Sequence, residues 1–303
     1  MTDHFAAFSF VDRIVELAPG SHARGYFTVP SQCGRFPPCL VAEAVGQLAA
    51  WVAMDRVGYR GRPVAALATE TVFEGDVAPG DQLELEVDIE DCDDAAISYG
   101  GRARANGRQV IELKHCLGPM LPVEDFDDPD ALRERFRLLR GRGAAPGAFD
   151  GLPALEVSVD SRVPGRSLAA TLQVPEHAAF FGDHFPRRPV FPATLLLDVE
   201  MRLAMEFANA AGNERAAKLS PRRMTSVKMR AFITPGQRVG IDVEAMPSVD
   251  EDGNTRLGMR AKVGERTVAT ARVELAARAV AERVPAGRQP DGGRSRSGTE
   301  AGA

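Results

Sequence analysis

The stretch GDHFPRRPVFPATLLLD, residues 182–198, decides how the rest of the sequence is interpreted. It joins a proline-rich loop carrying His184 to a long apolar segment that includes Asp198. The segment from Thr194 to Ala211 is apolar nearly all round, which predicts a helix enclosed by other elements. We therefore expect a polar loop that leads directly into a buried helix.

The same order of segments occurs twice in the 303 residues. YFTVP, FPPCLVAEAVGQLAAWVAM and FEGDVAPGDQLELEVDIE in the first half correspond to TLQVP, FPATLLLDVEMRLAMEFAN and MRAFITPGQRVGIDVEAM in the second. LELEVDIE and VGIDVEA alternate apolar and polar residues, as half-buried strands do. Each half is therefore predicted to contain a strand, a long apolar helix and several further strands, so that one domain is used twice.

Domain limits follow from this repeat and from two segments of different composition. We predict a first domain at 1–120, a linker at 121–152, a second domain at 153–276 and a disordered tail at 277–303. Within the linker, Asp128 and Pro129 suit an N-cap and first helical position, and Leu132, Phe136 and Leu139 share one helical face. Proline, glycine, serine and charged residues dominate the tail, which has little to bury.

Composition excludes several classes of protein. The formal net charge is −5, so the chain as a whole has no basic footprint for nucleic acid. The four cysteines include no CxxC pair, which argues against a disulfide scaffold or a zinc site. No signal peptide or membrane segment is recognised. We expect a cytoplasmic protein without metal, nucleic-acid partner or membrane attachment.

The two halves differ in one place that matters for chemistry. Pro175 and Pro192 enclose the loop that carries His184, whereas the matching Pro30 and Pro37 enclose only SQCGRF. The first half therefore lacks ten residues, including any counterpart of His184. The copies are predicted to be alike in scaffold and different in chemistry.

The quoted stretch resembles the motif of the β-hydroxyacyl-acyl-carrier-protein dehydratases. In that family a histidine begins an H-F-P-x-x-P loop and an acid follows 14 positions later, as His184 and Asp198 do here. FPPCLVAEAVGQ in the first half resembles the start of the family's helix, with Glu43 at the acid position. The resemblance implies an α+β fold, a double hot dog in which two antiparallel sheets each wrap a long central helix, with a degenerate first repeat.

The resemblance also implies a site shared between the halves, because in the family one hot dog supplies the histidine and the other the acid. His184 should then face Glu43, which is the only charge between Cys39 and Met54 and is expected to be kept neutral by burial. Asp198 has Arg202 four positions later, which favours an ion pair and a structural role. A site that uses His184 with Asp198 stays open as an alternative.

Further site residues are carried over from the family's motif. A glycine N–H at the start of the family's helix binds the thioester carbonyl; Ala193 keeps that N–H, whereas Pro38 in the first half has none. Phe185 and Phe191 are candidate lining of an acyl tunnel. Arg187 and Arg188 are basic and are expected to meet an acidic carrier protein or a pantetheine phosphate.

The implied activity is the dehydration of 3-hydroxyacyl thioesters, linked to acyl carrier protein or CoA, to trans-2-enoyl thioesters in fatty-acid or polyketide-type biosynthesis. His184 would remove the C2 proton and Glu43 would protonate the leaving hydroxyl, with no cofactor. A hot-dog acyl thioesterase and a non-catalytic acyl-binding or partner subunit are the alternatives. The chain is expected to form an internal pseudo-dimer, either alone or within a homo-oligomer.

Overall fold

The computed structural model describes residues 5–210, 218–247 and 254–277. The helices are α1 (Pro38–Arg56), α2 (Pro129–Arg140), α3 (Phe181–His184) and α4 (Ala193–Ala210). The strands are β1 (Arg13–Ala18), β2 (His22–Thr28), β3 (Gly61–Pro63), β4 (Leu67–Phe73), β5 (Gln82–Cys92), β6 (Ala96–Ala105), β7 (Arg108–Pro122), β8 (Glu156–Val163), β9 (Ser167–Gln173), β10 (Leu219–Met229), β11 (Arg238–Ala245), β12 (Thr255–Val263) and β13 (Arg266–Ala277). The predicted disordered tail lies, beyond its first residue, outside the described residues.

The strands follow the same spatial order in both halves. In the first half the order is β1-β2-β5-β6-β7-β4, with β3 paired to β7, and in the second it is β8-β9-β11-β12-β13-β10. Apart from β3, each strand therefore occupies the place of its counterpart in the other copy. The internal duplication read from the sequence is a duplication of the fold, and each half has the hot-dog arrangement of a sheet around a long helix.

One pairing between strands joins the halves. β4 pairs antiparallel with β10, from Leu67 opposite Lys228 to Val72 opposite Arg223. This pairing satisfies the backbone groups of two strands that would otherwise be sheet edges. The two expected sheets consequently form one continuous sheet of thirteen strands within the described residues.

The central helices are buried by their own sheets and against each other. α1 packs on β2, β5, β6 and β7, α4 packs on β9 to β13, and the two helices are in contact. Each begins directly after a proline, Pro37 or Pro192, and α4 therefore begins one residue before the predicted start at Thr194. Proline suits the start of a helix because its missing N–H would have no intrahelical partner there.

The linker contains the predicted capped helix. The Asp128 carboxylate accepts hydrogen bonds from the backbone N–H groups of Asp130 (2.9 Å) and Ala131 (3.1 Å) and so caps α2. The face formed by Leu132, Phe136 and Leu139 is buried. The ring of Phe136 stacks on Trp51 near the end of α1 at 6.1 Å, so α2 covers that end. The exact domain limits stay a prediction.

The ten additional residues of the second half include α3. This short helix lies between β9 and α4, and His184 is its last residue. In the first half β2 is followed by α1 after a short irregular loop. Among the described residues, no helix combines the length and apolar character that crossing a bilayer requires.

Candidate functional site

A cavity of about 730 Å³ lies where the two halves meet. Its walls come from α1, from the loop that carries α3 and from the first turn of α4, together with β4, β7 and β10. Six of the residues predicted from the sequence line it: Glu43, His184, Phe185, Arg188, Phe191 and Ala193. Two others, Arg187 and Asp198, do not line it.

His184 is held in a partly buried position at the end of α3. Its backbone N–H donates to the carbonyl of Phe180 (2.8 Å), and its ring packs against Phe8 (5.2 Å) and Phe185 (4.1 Å). Its Nδ1 has no hydrogen-bond partner among the described residues. Burial, assisted by the positive charge of Arg62, lowers the pKa of His184 to about 3. The imidazole is therefore neutral around pH 7 and able to accept a proton.

The first half anchors the loop of His184 through the neighbouring Asp183. The buried carboxylate of Asp183 accepts hydrogen bonds from the backbone N–H groups of Phe5 and Phe8 (2.6 Å to Phe8) and from the hydroxyl of Ser9 (3.2 Å). These contacts tie the loop of the second half to the N-terminal segment of the first. The half without a counterpart of His184 thus helps to orient the His184 loop of the other half.

The Glu43 carboxyl reaches across the interface from α1 to α4. Its Oε2 lies 2.8 Å from the Thr194 hydroxyl, and its Oε1 accepts from the Gln47 amide nitrogen at 3.0 Å. Burial raises the pKa of Glu43, while the hydrogen bonds of Gln47 and Thr194 and the charge of Arg62 oppose that rise. Glu43 is thus a partly buried carboxyl whose pKa is raised by its surroundings.

The orientation of Gln47 decides which Glu43 oxygen can carry a proton. The Gln47 carbonyl accepts from the backbone N–H of Phe10 (2.8 Å), and its amide nitrogen donates to the backbone carbonyl of Phe8 (2.9 Å). The same nitrogen must therefore donate to Oε1 of Glu43. When Glu43 is protonated, its proton lies on Oε2, the oxygen next to the first turn of α4.

The first turn of α4 brings backbone donors to the cavity. Ala193 and Thr194 both line it, and the N–H groups of the first turn of a helix have no intrahelical acceptor. The positive end of the helix dipole also favours negative charge there. At the equivalent place in α1, Pro38 is the first helical residue and has no N–H.

Asp198 is held in an ion-pair cluster outside the cavity. Its side chain is only 5% exposed and lies 3.2 Å from Nε of Arg202, which confirms the expected ion pair. Arg35, from the shortened loop of the first half, binds the other Asp198 oxygen at 2.9 Å. Arg35 was not predicted from the sequence. Its loop is the counterpart in the first half of the His184 loop, so the repeat places it near Asp198, the counterpart of Glu43.

The two predicted basic residues have different surroundings. Arg187 pairs with the capping residue Asp128 (2.9 Å), which ties the loop to the linker. The Arg188 guanidinium lies over the rings of Phe126 (5.4 Å) and Phe232 (4.9 Å) at the wall of the cavity. Only Arg188 is therefore in a position to meet a ligand in the cavity.

One face of α1 forms a long wall of the cavity. The residues on this face follow the i, i+3, i+4, i+7 pattern of one side of a helix: Glu43, Gly46, Gln47, Ala50, Trp51 and Met54. With a rise of about 1.5 Å per residue, the wall extends for about 16 Å beyond Glu43. On α4 the lining ends within the first two turns, and the repeat places the larger Met201 and Met205 where α1 has Gly46 and Ala50.

A possible metal-ligand group lies elsewhere. Ligand atoms of His22, Glu86 and Asp88 lie within 4.8 Å of one another on β2 and β5. His22 is hydrogen-bonded to Asp88 (2.8 Å), and Glu86 forms an ion pair with Arg102. These partners account for the cluster as a network of surface charges.

The sequence reasoning missed three residues of the site. Arg62 could not be recognised from its neighbours, because it is an ordinary charged residue that precedes an apolar segment. Asp183 adjoins His184 within the quoted motif, and Thr194 is a polar residue at the start of an apolar helix. Either of these two could have been singled out from position alone.

Comparison with known sequences identifies a matching family and several relatives. The ApeI-like family, described as ApeI dehydratase, matches residues 160–266. The chain is 34% identical over 128 residues to the 3-hydroxyacyl-[acyl-carrier-protein] dehydratase FabZ of Bacillus velezensis, and that match covers 38% of this chain and 91% of the relative. The FabZ of Bacillus subtilis is 33% identical with the same coverages.

Comparison with solved structures extends over both halves. A putative oleoyl thioesterase from Lactobacillus plantarum matches with a TM-score of 0.57 and 11% identity, covering 86% of this chain and 98% of that one. A tesB protein of Mycobacterium avium subsp. paratuberculosis also gives 0.57, with 13% identity and coverages of 88% and 96%. At these identities the likeness shows the fold, namely two hot dogs in one chain, and does not bear on the reaction.

Proposed function

The chain belongs to the family of hot-dog dehydratases, and from this premise we propose that it converts 3-hydroxyacyl thioesters to trans-2-enoyl thioesters at one site between its halves. The observation that carries the proposal is the hydrogen bond between Glu43 and Thr194. It brings a buried carboxyl of the first half to the helix start of the second, in the cavity that His184 also lines. An acid, a base and backbone donors thus surround one space.

His184 is the proposed base. Its neutral imidazole removes a proton from C2 of the substrate, and the rings of Phe8 and Phe185 limit its movement. Negative charge then develops on the thioester oxygen, where the N–H of Ala193 stabilises it. That developing charge also offsets part of the cost of protonating a buried imidazole.

Glu43 is the proposed acid. Its Oε2 proton passes to the C3 hydroxyl, the C3–O bond breaks, and water leaves as the double bond forms between C2 and C3. The Gln47 amide, fixed by two backbone groups, donates to the carboxylate that remains. Transfer of the proton from His184 back to Glu43 then restores the resting site.

The wall along α1 supports an acyl chain as the variable part of the substrate. An extended chain advances by about 1.3 Å per methylene, since its C–C bonds of about 1.5 Å are inclined to its axis. The length of about 16 Å beyond Glu43 therefore accommodates about a dozen carbons beyond C3. Phe185 and Phe191 line the end near the reacting carbons.

Arg188 supports a phosphopantetheine-linked substrate. Two aromatic rings hold its guanidinium at the cavity wall, where a phosphate or an acidic carrier protein could pair with it. The FabZ relatives are named for acyl-carrier-protein substrates, so we propose acyl carrier protein as the partner and a role in fatty-acid biosynthesis. CoA thioesters contain the same phosphopantetheine arm and provide the comparison.

We further propose that the first repeat is degenerate and that the opposite site is inactive. There Asp198 is occupied by Arg35 and Arg202, and the first half offers neither a histidine loop nor a helix-start N–H at Pro38. Each of these differences removes a group on which the proposed reaction depends. The active site is therefore single although the scaffold is double.

Incubation of the purified chain with 3-hydroxyacyl thioesters of acyl carrier protein and of CoA tests the proposal. Formation of the enoyl thioester is followed by its absorbance, and release of free thiol is measured in parallel. We expect enoyl product without thiol, and loss of product in His184→Ala. Thiol release would indicate the thioesterase alternative, and binding without turnover would indicate a non-catalytic subunit; either result contradicts the proposal.

A further inference from the structure

Arg62 lies on β3 of the first half, but its side chain reaches the loop of His184 in the second. Its Nη2 donates to the backbone carbonyl of His184 at 2.7 Å, and its Nη1 contacts a carboxylate oxygen of Asp127 at 2.5 Å. Its guanidinium also lies over the Phe185 ring at 4.8 Å. The side chain is 15% exposed and that of Asp127 is 1% exposed, so the whole arrangement is enclosed.

We propose that Arg62 is a positioning residue for the reaction: it fixes the His184 loop against the first half and places its positive charge beside that loop. This inference rests on the proposed function. Arg62 acts through His184, whose backbone it holds, and through its charge near the ring. Because Asp127 belongs to the linker, the segment between the two halves takes part in orienting the base.

Arginine suits this position better than lysine. Its planar guanidinium directs separate N–H groups at two acceptors and stacks on an aromatic ring at the same time. A lysine ammonium would keep the positive charge but could not reproduce the two hydrogen bonds and the stacked contact with Phe185. Arg62→Lys therefore separates the effect of geometry from that of charge, and Arg62→Gln removes both.

The charged groups around His184 make the effect on protonation predictable. Arg62 faces it from β3 and Asp183 from its own loop, while Asp127 from the linker and Glu43 from α1 act on Arg62. The charge of Arg62 lowers the pKa of both His184 and Glu43. Removing that charge should raise both pKa values. The limb set by His184 lies near pH 3, so between pH 5 and pH 9 the limb that should move to higher pH is the alkaline one, set by Glu43.

The test compares kcat and kcat/KM between pH 5 and pH 9 for the full chain and its variants, with a 3-hydroxyacyl-CoA as substrate. Both Arg62 variants should lower kcat by about 10-fold to 100-fold, because small misplacements of a catalytic group have effects of this size. KM should change little, since Arg62 holds the protein rather than the substrate. Arg62→Gln should also move the profile up by about one pH unit or more, whereas Arg62→Lys should not.

Arg133 provides a matched control. It pairs with Asp130 (2.8 Å), donates to the carbonyl of Gly58 (3.1 Å) and lies over the ring of Tyr59 (5.2 Å), which are the same three kinds of contact made outside the cavity. Arg133→Gln should leave kcat and the pH profile unchanged. An equal effect of Arg133→Gln, or a folded Arg62→Gln with the wild-type profile, would overturn the inference.

A second measurement does not depend on turnover. Titration of the His184 imidazole by NMR should give a higher pKa in Arg62→Gln than in the wild type, and an unchanged pKa would contradict the role of Arg62. If this shift occurs but the wild type forms no enoyl product, the proposed function fails and the electrostatic part of the inference stands. If Arg62→Gln does not fold, Arg62→Lys provides the test. A lower kcat in Arg62→Lys, with KM and melting temperature unchanged, supports the inference, and an unchanged kcat refutes it.

Discussion

Replacing Glu200 by methionine should stabilise the protein, and increasingly so as pH rises. Glu200 lies on α4, is fully buried, and neither carboxyl oxygen has a hydrogen-bond partner among the described residues. Burial alone raises its pKa from about 4.5 to about 8. The proposed reaction makes no use of it. Methionine has a similar length and shape without the polar group, so Glu200→Met removes the electrostatic cost and keeps the packing.

The size of the effect follows from the two protonation states. At pH 7 the unfolded chain ionises Glu200 whereas the folded chain keeps it neutral, and each pH unit above 4.5 costs about 1.4 kcal/mol of stability until pH 8. The penalty is absent below pH 4.5, grows between pH 4.5 and pH 8, and is constant above. At pH 7 it amounts to about 3 kcal/mol.

Urea unfolding of wild type and variant between pH 5 and pH 8 measures this dependence. The stability gained by Glu200→Met should be smallest at pH 5 and largest at pH 8. Glu200→Gln is the matched control, because it removes the ionisation but keeps a buried polar group. Its gain in stability over the wild type should also grow with pH, but should be smaller than that of Glu200→Met at each pH. A gain that is the same at pH 5 and pH 8, or destabilisation by methionine at every pH, would refute the reasoning.

Four further substitutions test other parts of the structure. Ala50→Met narrows the cavity about 10 Å beyond Glu43 and should abolish turnover of long 3-hydroxyacyl chains, while turnover of four-carbon substrates is retained. Met205→Ala, at the matching position of α4, should leave the chain-length profile unchanged. Asp128→Ala removes the cap of α2 and should lower the free energy of unfolding by about 1 kcal/mol, measured by urea denaturation. Thr194→Val removes a hydrogen bond that lowers the pKa of Glu43, so the alkaline limb of kcat should move to higher pH; an unmoved limb would contradict the contact.

The fold could be predicted because its evidence lies within short segments of chain. Alternating strands, two apolar helices and their repetition in the same order indicate two copies of one unit, and the structure arranges the strands accordingly. The pairing of β4 with β10 could not be read from any one segment, because it depends on how two finished sheets meet. Five residues of the quoted motif line one cavity because their spacing along the chain keeps them close in space: His184, Phe185, Arg188, Phe191 and Ala193.

The contacts between the halves account for what the sequence did not reveal. Arg35 binds Asp198 and Arg62 binds the His184 loop over separations of more than one hundred residues. Neither arginine has a local pattern that distinguishes it from a surface residue. Their roles follow from the position of one half on the other, which only the three-dimensional arrangement provides.

The central claim is that one asymmetric site uses His184 of the second half with Glu43 of the first. The most direct measurement is kcat/KM for dehydration of a 3-hydroxyacyl thioester by Glu43→Gln and Asp198→Asn, both checked for folding. We predict a loss of about 10²-fold to 10⁴-fold for Glu43→Gln, as expected for a general acid, and little change for Asp198→Asn. Equal losses in the two variants, or a greater loss for Asp198→Asn, would contradict it.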